Sequence, residues 1–177
     1  LGPSGSGKSS LLYLLSGLKQ PTAGSVAYRG RAFGSMEDGE RASVRLHDFG
    51  FVFQQPYLLG YLNVIENVLV SAAIRQTASD TRASELLSAL GLDGKSHRFP
   101  HELSGGERQR VCVARALFGS PSVIFADEPT AALDHKNGFQ VVELLNTHRG
   151  SGSLVMVTHD PSMLEQADRI LRIEDGQ

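Results

Sequence analysis

An α/β domain built on a mostly parallel sheet is what this 177-residue sequence predicts, and three observations carry that expectation. Turn residues recur along the whole chain, and the apolar stretches between them alternate between helical and extended periods. The extended ones, Val123-Ile124-Phe125-Ala126 and Leu154-Val155-Met156-Val157, are continuously apolar and separated by helical sequence, the pattern of strands buried between layers of helices. With 41% apolar and 20% charged residues, the composition is that of an ordinary globular domain, long enough to bury a core without disulfide or metal staples.

Taken in order, Leu11, Leu12, Leu14, Leu15 and Leu18 fit one helix ending at Gly17 or Pro21, and Ser25 to Tyr28 reads as a short strand. Glu37 to Arg45 is expected to be helical. Phe49 to Phe53 is a β-rich run stopped by Gln54, Gln55 and Pro56. The character then changes, because Val64 to Ile74 and Ser84 to Leu90 read as helices with no strand-like run between them. The strands at 123–126 and 154–157 flank a helical stretch around Val141 to Leu145. A last alternation, Arg169-Ile170-Leu171-Arg172-Ile173, predicts a strand ending at Asp175-Gly176. Residues 1–56 and 119–177 are thus expected to form a core into which 57–103 is inserted as a helical unit, with a helix continuing to about Phe118.

Several function classes are disfavoured. Seventeen Lys and Arg against nineteen Asp and Glu give a net charge of −2, and no basic block stands out to neutralise a nucleic-acid backbone. No apolar run approaches the roughly 18–20 residues of a membrane span, and no basic-then-apolar leader is present. The single Cys112 can close no internal disulfide and points to a reducing compartment. The sequence begins within a phosphate loop with only Leu1 of the strand such a loop follows, and is read as a fragment.

The chemistry is concentrated in three places. Gly2 and Gly7 with Lys8 and Ser9 fit G-x-x-x-x-G-K-[ST] completely. Glycines let backbone N–H groups wrap a phosphate chain, Lys8 would reach the β- and γ-phosphates, and the Ser9 hydroxyl would bind Mg2+. A helix starting near Lys8 would add its positive end at the same spot. The apolar strand Val123 to Ala126 ends in two carboxylates that point to opposite faces: Asp127 would hold Mg2+ through its water shell and Glu128 would polarise the attacking water. Finally, Leu103-Ser104-Gly105-Gly106-Glu107 opens a helix with a Ser104-x-x-Glu107 capping box. That box does not explain Gly105 and Gly106, which are poor residues for a first helical turn and suggest bare backbone facing an anion.

On these residues the chain resembles the ATP-binding cassette (ABC) ATPases, whose signature loop reads LSGGQ, and the resemblance covers essentially the whole sequence. It implies an α/β, RecA-like P-loop NTPase core with an inserted ABC-type helical subdomain. Gly2, Pro3, Ser4, Gly5, Ser6, Gly7, Lys8, Ser9 and Ser10 would be the nucleotide-binding loop for ATP. Glu128, His159 and Gln54 would be the catalytic set, and Ser9, Gln54 and Asp127 the Mg2+ set. Gln54 matches the Q-loop, Ala132-Leu133-Asp134 the D-loop with Asp134 joining two nucleotide sites, and His159 in Val157-Thr158-His159-Asp160 the switch histidine. Leu103, Ser104, Gly105, Gly106 and Glu107 would bind the γ-phosphate held by a second cassette. Glu107 stands where Gln is commoner and Ala131 where Ser or Gly is common. The other histidines, 47, 97, 101, 135 and 148, have no ligand-like spacing.

The runs Phe49 to Gln54, Leu62 to Val68, Glu107 to Arg110 and Ala126 to Thr130 further resemble the lipoprotein-release, macrolide-efflux and heterocyst glycolipid exporter group. The resemblance implies a second cassette, a homodimer in the simplest case, and a transmembrane permease subunit as partners. It places the chain on the cytoplasmic side of the plasma membrane, touching the membrane only through the permease. A regulatory cassette that signals to cell-wall hydrolases without moving cargo is the competing expectation. A chromosome-organising ATPase is disfavoured because Ser9 to Leu103 holds no sustained heptads, and a small-molecule kinase or GTPase because neither explains the LSGGE segment.

Overall fold

The computed structural model describes residues 1–3, 5–75, 80–131 and 133–174, with the side chains of 71–75 left aside. Three parallel strands form the central sheet in the order β3-β4-β5: β3 is Phe49–Val52, β4 Val123–Asp127 and β5 Ser153–Val157. Phe49 pairs with Val123, which pairs with Ser153, and the register holds to Asp127 opposite Val157. All three strands therefore end at one edge, where the candidate residues Gln54, Asp127, Glu128 and His159 follow.

The period-2 alternation divides the strand residues between two cores. Val52, Ile124 and Ala126, with Leu154 and Met156, face a cluster formed with Val111, Val113 and Leu117. Those three lie on α5, Gly105–Phe118. Phe49 and Phe125, with Phe51, Val155 and Val157, face the opposite cluster with Leu12, Phe33 and Met36. Leu12 lies on α1, Lys8–Leu15. Rings of Phe49 and Phe125 meet edge to face at 5.0 Å. Gly50 lets α5 approach this closely, since a Cβ there would stand 2.5 Å from the Ala116 carbonyl oxygen.

The middle of the chain is helical as expected. α3 is Val64–Arg75 and α4 Asp80–Ala89, and both pack on α5 through Val64, Val68, Ala83, Leu86 and Leu87. Asn67 is fully buried, and its amide joins Leu59, Leu62 and Asn63, which fixes the loop entering α3. α2, Asp38–Asp48, extends the expected helix to its junction with β3, and α6, His135–His148, connects β4 to β5.

Two elements differ from expectation. Only Ala27–Tyr28 (β1) of the segment from Ser25 is extended, and it pairs antiparallel with Arg31–Ala32 (β2) around a turn with positive φ at Arg29 and Gly30. The alternation at 169–173 forms no ladder; its partner among the described residues is Leu1, whose N–H donates to the Leu171 carbonyl and whose carbonyl accepts from Ile173, both at 2.8 Å. Asp175 and Gly176 lie outside the described residues.

Candidate active site

Each candidate residue stands where a strand stops or a helix starts, because backbone groups are unpaired there and side chains are free to converge. Gly7 caps α1 with φ 93, a conformation suited to glycine, and no side chain among the described residues caps the helix. Its first-turn N–H groups are thereby left facing the phosphate loop. Gly5 also adopts a positive φ, while Ser4 lies outside the described residues. Lys8 is 6% exposed, and its Nζ donates to the carbonyls of Gly2 at 2.7 Å and Pro3 at 2.5 Å. The Ser6 hydroxyl is buried without a partner in the same loop. A bare helix start, a buried cation and an orphaned hydroxyl together suit a phosphate chain.

At the end of β4, Asp127 is 6% exposed and accepts two hydroxyls, Ser9 Oγ on Oδ1 and Tyr13 Oη on Oδ2, each at 2.7 Å. Burial and the bond to Asp127 push the Tyr13 phenol up to about 12. Glu128 has φ 46, a strained value for a non-glycine residue that turns the chain as β4 ends. Its N–H still donates to the Val157 carbonyl, and its Oε2 lies 2.8 Å from His159 Nδ1.

Pro3, Gly5, Gly7, Lys8, Ser9 and Ser10 share one cleft of about 610 Å3 with Gln54, Glu128, Ala131 and His159. The donors beside the loop are hard oxygens, Ser9 Oγ, the Asp127 carboxylate and the Gln54 amide, which suit Mg2+ bound partly through phosphate and water. Among the described residues no group of three His, Cys, Asp or Glu is placed to hold a metal ion. Glu128 beside His159 can take a proton from water lying against a phosphate in the cleft.

The remaining candidates lie outside that cleft. Ser104 caps α5, accepting from the Glu107 N–H at 3.2 Å while Glu107 Oε2 accepts from the Ser104 N–H at 2.8 Å. Lys95 donates to the other Glu107 oxygen, and this bond, with the Ser104 N–H, holds the Glu107 carboxyl down at about 2. A Cβ added at Gly105 would meet nothing within 4 Å, and at Gly106 only ordinary contacts at 3.7 Å. Packing within one copy therefore does not require either glycine. Asp134 caps α6 through the Asn137 N–H, which lowers its carboxyl; Ala132 beside it lies outside the described residues.

Three residues here were not singled out from sequence. Tyr13 lies four positions after Ser9, so helical spacing could have placed both on one face. Gln109 is 2% exposed and its Nε2 donates to the carbonyls of Phe53 at 3.0 Å and Pro129 at 2.9 Å. Lys95 meets Glu107 across a loop and leaves no periodic trace. His47, His97, His101 and His135 are exposed and His148 half-buried.

Comparison with known proteins shows the family. The sequence model of the family described as ABC transporter matches residues 1–131. The chain is 41% identical over 181 residues to the putative hemin import ATP-binding protein HrtA of Staphylococcus haemolyticus, covering 99% of this chain and 81% of that one. It is 42% identical over 181 residues to the macrolide export ATP-binding/permease protein MacB of Pectobacterium atrosepticum, where it covers 100% of this chain and 28% of the relative. A dimeric post-hydrolysis state of the ATP-binding cassette MJ0796 bound to ADP and Pi superposes with a TM-score of 0.90 at 36% identity, over 99% of this chain and 79% of the other. With the P-loop NTPase α/β fold in place, the chain belongs to the ABC transporter family, as an ATP-binding cassette that couples ATP hydrolysis to transport.

Proposed function

We propose that this cassette powers export or extraction of a lipid, lipoprotein or drug-like substrate through a membrane permease, working as a pair of cassettes with ATP between them. The observation that carries the paired reading is the bare backbone at Gly105 and Gly106, which no packing among the described residues of a single copy requires and which lies outside the phosphate-loop cleft. In this reading the loop N–H groups and Lys8 hold the ATP phosphates of one copy, and Ser104, Gly105 and Gly106 of a second copy close over the γ-phosphate. Ser9, Asp127 and Gln54 would hold Mg2+, which when bound supplies charge neutralisation at the β- and γ-phosphates. Glu128 accepts a proton from the attacking water, His159 orients Glu128, and Asp134 faces the other site.

Residues 57–103 form the helical subdomain that passes closure to the permease, and the two flanking parts form the core. The names of the relatives support transport but differ in cargo and direction, hemin import against macrolide export. Cargo and direction then belong to the permease rather than to the cassette. Among the described residues no helix is long and apolar enough to cross a membrane, which is compatible with a cytoplasmic cassette reaching the membrane through that partner.

Ser104→Arg tests the paired site. In the intact protein carrying Glu128→Gln to slow turnover, ATP should raise the light-scattering mass to that of a dimer. With Ser104→Arg added the mass should stay that of one copy, because the cation and its bulk enter the closing surface. An ATP-dependent dimer in the doubly substituted protein overturns the reading.

A further inference from the structure

Residues four apart on a helix share a face, so Ser9 and Tyr13 of α1 both look toward the end of β4. What they meet there is a single carboxylate. Asp127 is 6% exposed and has two oxygens to satisfy; Ser9 donates to Oδ1 and Tyr13 to Oδ2, both at 2.7 Å. The Tyr13 ring has contacts besides this bond. It packs against the cluster of Leu12, Phe33, Met36 and Phe49, with the Lys19 ammonium 5.6 Å from its centroid. Packing of the ring and the bond to Asp127 agree on where the hydroxyl points.

We propose that Tyr13 is a positioning residue for the metal site: by holding Oδ2 it fixes the rotation of the Asp127 carboxylate and leaves Oδ1 as the oxygen presented to the metal's water shell. The proposal rests on the reading above that Ser9 and Asp127 hold Mg2+. The two donors play different parts under that reading. If the Ser9 oxygen offered a lone pair to a metal, its O–H could still donate to Oδ1, and the other lone pair of Oδ1 would be the one open to the metal's water shell. Tyr13 is not a ligand, so its bond to Oδ2 persists through that change. Without it the carboxylate can rotate about its Cβ–Cγ bond, and a buried oxygen loses its donor. Outer-shell partners of this kind govern how well a ligand holds its metal.

Tyr13→Phe removes the donor and keeps the ring. In the intact protein, Mn2+ binding in the presence of ATP, followed by electron paramagnetic resonance, should weaken about tenfold. ATP affinity in EDTA, measured by calorimetry, should be unchanged, because the phosphate loop does not depend on the bond. Tyr13→4-aminophenylalanine retains a donor of the same reach and should restore Mn2+ affinity; it also carries the test if Tyr13→Phe does not fold, when a loss of Mn2+ affinity in this folded variant overturns the proposal. Asp127→Asn in parallel separates the two levels. Wild-type Mn2+ affinity in Tyr13→Phe with a loss in Asp127→Asn overturns the role of Tyr13 and leaves the metal reading standing. Wild-type affinity in both overturns the metal reading itself. Equal weakening of ATP in EDTA and of Mn2+, with a lowered melting temperature, identifies a plain strut between α1 and β4 and also overturns the proposal.

Discussion

His159 Nδ1 stands 2.8 Å from Glu128 Oε2, so the segments that leave β5 and β4 are joined across the cleft that the phosphate loop lines. Glu128→Gln keeps the size of the side chain and its reach to His159 but removes its ability to take a proton. ATP hydrolysis in the intact protein should fall by about 10²–10⁴-fold while ATP binding is retained. Phosphate release and calorimetry on the same preparation check both halves. Turnover at the wild-type rate would remove Glu128 from the proposed role of base.

The strands at 49–52, 123–127 and 153–157 were legible because side chains of both faces pack into apolar clusters, which writes a continuous apolar run into the sequence, even though β5 is only half-buried. The hairpin Ala27 to Ala32 was half legible, since strands of two residues carry no period; its turn rests on backbone conformation at Arg29 and Gly30. The alternation at 169–173 looked like a strand, yet a strand is defined by its neighbour, and among the described residues its backbone bonds run to Leu1. At the candidate site, residues in recognisable local motifs could be named in advance and most converge on one cleft. Tyr13 showed only its helical spacing from Ser9, and the partners of Tyr13, Gln109 and Lys95, 114, 20 and 12 positions away, left no mark in the sequence. Such bonds depend on how elements pack, which no local pattern records.

Gln109 is the polar tie between two of those segments. Its amide serves the carbonyl of Phe53, which precedes Gln54, and that of Pro129, which follows Glu128. Gln109→Leu fills nearly the same space and leaves both carbonyls without this donor. Stability to urea should drop by about 2 kcal/mol, from the lost bonds and buried acceptors. Hydrolysis should fall with it while ATP affinity holds, since the Gln109 amide bonds to Phe53 and Pro129 and not to the phosphate loop. Unchanged urea stability would mean that other donors replace the amide.

Glu107 gives a pH dependence with a definite sign. The bond from Lys95, then the Ser104 N–H, hold its carboxyl at about 2, against an ordinary value of 4.5. A folded-state value below the unfolded one stabilises the protein fully above about pH 4.5 and ceases to do so as the pH falls toward 2. The side chains of Lys95 and Glu107 are 39% and 17% exposed, so solvent screens the pair and its net worth is set at about 1 kcal/mol or less. At pH 7 Glu107→Gln should melt close to the wild type, because Gln also closes a capping box with Ser104. Between pH 4.5 and 2 the wild type should lose melting temperature more steeply than Glu107→Gln, and Lys95→Ala should remove part of that extra slope. Scanning calorimetry across this range decides the matter; parallel curves for wild type and Glu107→Gln would show that the carboxylate at the start of α5 takes up its proton equally in the folded and unfolded chains.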